Sequence, residues 1–157
     1  MVKVLFICTG NICRSPTAEG VFRALVQDNS LEHAIEIDSV GTGPWYVGKP
    51  PDERSQEAAA KRGYDLSNQR SRLIASDDII NSDYLIAIYT ANMDALRLMV
   101  PQPMRDKLSR FLEFSIDAER TNVPDPYYDG SDGFELVLDL VEDASKGLLF
   151  HIQKTDL

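Results

Sequence analysis

Behind Met1 the chain is apolar almost without a break, with Val2, Val4, Leu5, Phe6 and Ile7 interrupted only by Lys3. Such a run suits a strand buried on both faces of a parallel sheet. It passes through Cys8-Thr9-Gly10-Asn11-Ile12-Cys13-Arg14 to Ser15-Pro16. A serine N-cap with proline at the first helical position predicts a helix start there, and Ala18, Val21, Phe22 and Leu25 then recur at helical spacing. Residues 35–40 read as a second strand, and Pro50-Pro51-Asp52 opens a helix that Gly63 can stop. Ser76-Asp77-Asp78 caps a short helix, residues 84–89 form a third apolar strand, and residues 92–100 form a helix closed by Pro101 and Pro103. Residues 111–114 make a weaker fourth strand. A last helix runs from Gly133 with Phe134, Val137, Leu138, Val141 and Leu148 on one face. Strands alternating with helices predict an α/β domain around a central parallel sheet. Ligands of such sheets bind at the carboxyl ends of strands near a topological switch point, so the loop after strand one is the first place to look.

No repeat, low-complexity tract or linker interrupts the pattern, and residues 1–157 read as a single domain. With 157 residues, 43% of them apolar, the chain can bury a sizeable core. No apolar run approaches the roughly 20 residues of a membrane span, and the N-terminus lacks the cleavage site of a secretory signal. Two cysteines make no disulfide framework, and a Cys/His zinc site would need both cysteines and both histidines. The expectation is a cytoplasmic protein in a reducing compartment, without a structural zinc site. A net charge of -9 argues against broad binding to nucleic acid or membrane surfaces. The charge is uneven: Arg54, Lys61, Arg62, Arg70 and Arg72 cluster in one stretch, while residues 125–157 are strongly acidic. Two solvated faces account for this, and the basic stretch is also suited to attract an anionic substrate.

The loop carries the chemistry. A tight turn from strand to helix directs successive backbone N–H groups inward, and the helix start adds partial positive charge. Thr9, Gly10, Asn11, Ile12, Cys13, Arg14 and Ser15 are therefore the candidate phosphate-binding residues. Gly10 permits close backbone approach or positive φ, Asn11 tolerates the left-handed region, and Arg14 offers a planar fork matched to two phosphate oxygens. Cys8 lies at the floor of this bowl, in surroundings of the type that favour a thiolate, and the Ser15 hydroxyl is placed to donate to its sulfur. The loop has one glycine and no Gly-Lys-Ser/Thr, so neither a dinucleotide fingerprint nor a nucleotide P-loop is present.

A phosphoryl group leaving an oxygen needs a proton donor. Asp125, in Val123-Pro124-Asp125-Pro126-Tyr127-Tyr128, is held between two prolines that favour extended backbone. Tyr127, Tyr128 and the Trp45-Tyr46 pair either pack within their loops or wall a slot for a flat ring. His33 and His151 have no partner motif and are expected at the surface.

At this point the chain resembles the low-molecular-weight protein tyrosine phosphatases. The run from Val4 through Cys8-Thr9-Gly10-Asn11-Ile12-Cys13-Arg14-Ser15-Pro16 to Glu19 is similar to the family's signature, and Asp125-Pro126-Tyr127-Tyr128 to its general-acid loop. The resemblance implies a four-stranded parallel sheet flanked by helices on both faces, a phosphocysteine intermediate formed with no metal and no cofactor, and phosphotyrosine in proteins or small aryl phosphates as substrates. Inorganic phosphate and vanadate would be inhibitors. It also implies roles: Cys8 as nucleophile, Arg14 as phosphate clamp, Asp125 as acid then base, and Asn11, Ser15 and Ser39 as loop support. Asn68 stands where some members have a histidine in that support, and Thr9 where many have leucine. The family's Met-Asp segment after strand three is not cleanly present, since Met93-Asp94 comes late. Cys13 either packs behind the loop or, as in members that keep it, protects an oxidised Cys8 as a disulfide. An arsenate reductase on the same scaffold would need further cysteines, and none follows Cys13. A silent phosphotyrosine reader would be expected to lack Cys8 or Asp125.

Overall fold

The computed structural model describes residues 1–116, 120–126 and 130–157, the side chain of Ser131 aside. Four strands, β1 (Val2–Cys8), β2 (Ile35–Gly41), β3 (Tyr84–Ala87) and β4 (Leu108–Arg110), lie parallel in the order β2-β1-β3-β4. Five helices accompany them: α1 (Arg14–Asp28), α2 (Glu53–Lys61), α3 (Ser76–Asn81), α4 (Thr90–Met99) and α5 (Gly130–Asp156).

Alternation along β1 divides the interior in two. Val4, Phe6 and Cys8 point into a core shared with α1, α2 and α5, including Phe22, Ala59, Phe111, Leu138 and Leu148. Leu5 and Ile7 point into a smaller core with Ile79 of α3 and Met93 and Leu96 of α4. Both faces of β1 are covered, which is why its sequence is apolar throughout. Phe6 contacts the edges of Phe22 and Phe111, with centroids 5.7 and 5.1 Å away. The direction of strand progression reverses beside β1, so a crevice opens at the carboxyl ends of β1 and β3. His33 and His151 are exposed, His151 lying against Tyr84 and Phe114.

Two expectations need correction. The fourth strand is residues 108–110, and residues 111–114 form a 3₁₀ turn whose Phe111 is fully buried. The first helix begins at Arg14, two residues earlier than Ser15-Pro16 suggests: Cys13 is its N-cap, and the Ser15 hydroxyl is used elsewhere. Pro16 still costs nothing there, since N–H groups of the first turn have no helical partner. By contrast Asp52 caps α2 as expected, accepting from the Arg54 N–H at 2.8 Å, and α4 and α5 start two and three residues ahead of the expected positions.

Candidate active site

Between β1 and α1 the backbone curls in five residues, and its carbonyls are claimed from outside. Thr42 N–H donates to the Cys8 carbonyl at 2.9 Å, Gly43 N–H to that of Thr9 at 3.0 Å, and Asp52 N–H to that of Ile12 at 2.8 Å. The Ser71 hydroxyl donates to the Gly10 carbonyl at 3.0 Å. With carbonyls drawn outward, the amide sides face the bowl, and the Asn11 N–H lies 3.2 Å from Cys8 Sγ. Asn11 takes the left-handed conformation, with φ 57°, which Asn tolerates better than other non-glycine residues. Gly41 makes room for the curl: a Cβ there would stand 2.7 Å from the Thr9 carbonyl oxygen.

The buried side chains inside the curl interlock. Cys8 Sγ and Ser15 Oγ are 2.9 Å apart. Asn11 Nδ2 donates to Ser15 Oγ at 2.8 Å and to Ser39 Oγ at 3.0 Å, while Asn11 Oδ1 accepts from the Arg72 N–H at 3.1 Å. Ser39 in turn donates to Glu19 at 2.8 Å. Thr9 Oγ1 turns to Asn92 Nδ2, 3.1 Å away. Arg14 is nearly buried; it donates to the Val123 carbonyl at 3.2 Å, lies over the Tyr89 ring at 5.3 Å, and comes within 3.9 Å of Asp125. A cleft of about 160 Å³ is lined by residues 8–14 with Trp45, Tyr46 and Asp125. A larger hollow of about 520 Å³ lies behind the curl against α1, lined by Glu19, Arg23, Asp38 and Gln69 among others. None of the residues 8–15 lines it, so the thiol, the guanidinium and the carboxylate meet in the smaller cleft.

A family comparison decides what scaffold this is: the model described as low molecular weight phosphotyrosine protein phosphatase matches residues 3–156.

The chain belongs to that family.

Among curated relatives of this phosphatase family member, the low molecular weight protein-tyrosine-phosphatase YfkJ of Bacillus subtilis is 40% identical over 154 residues, covering 98% of this chain and 97% of the relative. A Streptomyces coelicolor low molecular weight protein-tyrosine-phosphatase is 41% identical over 155 residues, covering 97% and 94%. Among solved structures, a protein tyrosine phosphatase from Entamoeba histolytica with Hepes in its active site superposes with a TM-score of 0.97 at 36% identity, covering 100% of both chains. The single α/β domain with four parallel strands and helices around them is the fold of these phosphatases.

Within this family member the structure brings Cys8, Arg14, Asp125, Trp45 and residues 9–13 to one cleft, with Ser15 and Ser39 behind it. Tyr127 and Tyr128 lie outside the described residues. Asn68 is exposed and makes no hydrogen bond to the curl among the described residues; its neighbour Gln69 instead donates to the Pro16 carbonyl at 2.9 Å. Burial pushes the Cys13 thiol up to about 12; the neighbouring Ser55 hydroxyl opposes this, while Asp52, Asp125 and Cys8 add to it. Sequence reasoning missed Glu19, Ser71, Arg72, Tyr89 and Asn92. The available signal was polarity on a buried helix face: Arg14, Ser15, Thr17 and Glu19 are all buried on α1.

Proposed function

We propose that this protein is a protein tyrosine phosphatase that hydrolyses phosphotyrosine in proteins and peptides, and small aryl phosphates, through a phosphocysteine on Cys8. The observation that carries the reading is the convergence on Cys8 Sγ of the Ser15 hydroxyl at 2.9 Å and the Asn11 N–H at 3.2 Å, with Arg14 and Asp125 lining the same cleft. Donors around a sulfur stabilise its anion.

In this reading the phosphate dianion rests on the amide groups of residues 9–15 and on the Arg14 guanidinium, which together supply the charge stabilisation. The Cys8 thiolate attacks phosphorus; the P–S bond forms as the P–O bond to the ring breaks, and Asp125 gives its proton to the departing oxygen. Asp125, now a carboxylate, takes a proton from water as that water attacks phosphorus. The P–S bond breaks, phosphate leaves, and the Cys8 thiolate and Asp125 carboxyl are restored. Trp45 and Tyr46 stand at the mouth, where a phenyl ring on the phosphate oxygen would sit. Inorganic phosphate and vanadate, which fill the same bowl, are expected to compete with substrate. A free thiol as nucleophile suits the reducing cytoplasm.

The test is hydrolysis of p-nitrophenyl phosphate by wild type and Cys8→Ser, with and without EDTA. Turnover insensitive to EDTA and lost in Cys8→Ser, with vanadate binding retained by the variant, is the expected result. More than a few per cent of wild-type rate in Cys8→Ser overturns the covalent mechanism.

A further inference from the structure

Helix α4 begins without a cap of its own. Tyr89 is its N-cap residue and makes no side-chain hydrogen bond to the first turn. N–H groups of that turn have no partner within the helix, and the one on Thr90 is satisfied from far along the chain. Asn122 Oδ1, 32 positions on, accepts from the Thr90 N–H at 2.6 Å and from the Thr90 hydroxyl at 2.9 Å. A backbone N–H can only donate, so the amide oxygen of Asn122, not its nitrogen, must face Thr90.

The next residue is pinned beside it. The Val123 N–H donates to the Ile88 carbonyl at 3.1 Å, and the Val123 carbonyl accepts from Arg14 at 3.2 Å. Val123 is fully buried in the larger core. These contacts fix where Val123 sits, but a chain held at one residue can still pivot about it. The Asn122 side chain adds a second attachment, on the start of α4, and two consecutive attachments fix direction as well as place. From there Pro124 has its φ locked by the ring, and Pro126 biases Asp125 to extended backbone. The direction set at residues 122 and 123 therefore carries through to Asp125. The Asp125 side chain is 52% exposed, so the core that seats Val123 does not seat it.

We propose that Asn122 is a positioning residue for the general acid: by capping α4 from outside, its side chain sets the line along which residues 124–126 bring the Asp125 carboxyl to the leaving oxygen. This rests on the reading of Asp125 as proton donor to that oxygen. Asn122 does not line the cleft, so its effect falls on the acid and not on the phosphate bowl.

The experiment is kcat/KM for phosphates of phenols of graded acidity in wild type, Asn122→Ala, Asn122→Asp and Asp125→Asn. Thermal melting and inhibition by inorganic phosphate are followed alongside. This constant reports the barrier from free enzyme and substrate, here that of the step that expels the phenol. Misplacing a reacting group by about 1 Å can cost about 10² in rate. Asn122→Ala should lower kcat/KM about tenfold for weakly acidic phenols and little for p-nitrophenol, which needs less protonation, with inhibition by phosphate as in wild type. A cap that served stability alone would lower the melting temperature and leave the dependence on phenol acidity parallel to wild type. Asn122→Asp keeps an oxygen that accepts both bonds and should restore the wild-type slope, since its added charge acts on all these substrates alike. A parallel slope in Asn122→Ala, or an aspartate variant as steep as the alanine one, overturns the inference. If Asn122→Ala does not fold, Thr90→Pro decides by the same slope. It removes both donors at a first helical position where proline is favoured, behind a Tyr89 already extended at ψ 156°. A uniform loss across the phenols in Asp125→Asn would instead overturn the reading of Asp125 as the acid, and the two failures are thereby distinct.

Discussion

The Arg14 guanidinium and the Asp125 carboxylate stand 3.9 Å apart across the mouth of the cleft, the first side chain 11% exposed and the second 52%. An ion pair this long and this wet contributes at most about 1 kcal/mol to stability. Its meaning is positional: it sets an acid beside the group that would clamp phosphate.

Asp125→Asn should therefore melt close to wild type while losing activity. Removing a general acid costs roughly 10²–10⁴ in rate, and the loss should be large for phosphotyrosine and smaller for aryl phosphates whose leaving groups are already acidic. Measuring kcat/KM across a series of phenols of graded acidity checks this. A uniform loss across the series would make Asp125 a structural residue.

Trp45 is 70% exposed and Tyr46 38%, which is costly apolar surface unless something stacks on it. Trp45→Ala should raise KM for a phosphotyrosine peptide several-fold, with little change in kcat, if the ring contacts the substrate's side chain and not its phosphorus. Wild type should prefer phosphotyrosine to phosphoserine peptides widely in kcat/KM. Equal rates on the two peptides, or an unchanged KM in Trp45→Ala, would remove the aryl slot.

Much of this site was legible because its parts are consecutive. Residues 8–15 come as one stretch, and the apolar strand before them and the helical spacing after them fix where that stretch sits. The edge strand was misplaced for a physical reason: Leu108-Ser109-Arg110 pairs with β3 alone, so no apolar pattern is demanded of it, while Phe111 and Leu112 are apolar because the 3₁₀ turn buries them under α5. Ser15 looked like a cap because serine and proline usually are one; here its hydroxyl is committed to Cys8 and Asn11. Arg72 and Asn92 reach the curl across 61 and 83 positions of sequence, and Glu19 meets Ser39 across 20; no local pattern reports such pairings.

Gly147 on α5 lies where the helix crosses residues 111–114, and a Cβ there would stand 1.7 Å from the Phe114 carbonyl oxygen. Alanine is favoured over glycine inside a helix by about 1 kcal/mol, but a backbone oxygen cannot move aside as a flexible side chain can, and overpacking costs about 1–3 kcal/mol or more. Gly147→Ala should lower the melting temperature despite its better helix propensity. A rise in Tm would show that α5 shifts freely on this turn.

Cys13 is the last case, because burial decides between two chemistries for it. Peroxide oxidises a reactive Cys8 thiolate to a sulfenic acid, releasing water, and a thiolate at Cys13 could then attack that sulfur, forming the disulfide and expelling hydroxide. Burial, however, holds the Cys13 thiol up at about 12, and the side chain is packed into the core behind the curl. Near neutral pH only about one Cys13 in 10⁵ is then ionised, each pH unit changing that ratio tenfold. Disulfide closure should be slow at pH 7 and should accelerate about tenfold per unit as pH rises towards 9, so that further oxidation of Cys8 competes best at low pH. The measurement is activity recovered by dithiothreitol after brief peroxide treatment, at pH 6, 7.5 and 9, in wild type and Cys13→Ser, with the Cys8–Cys13 peptide followed by mass spectrometry. Recovery that climbs with pH in wild type and is absent in Cys13→Ser assigns Cys13 a protective role gated by its burial. Equal recovery in both proteins at every pH, with no cross-linked peptide, leaves Cys13 as packing alone.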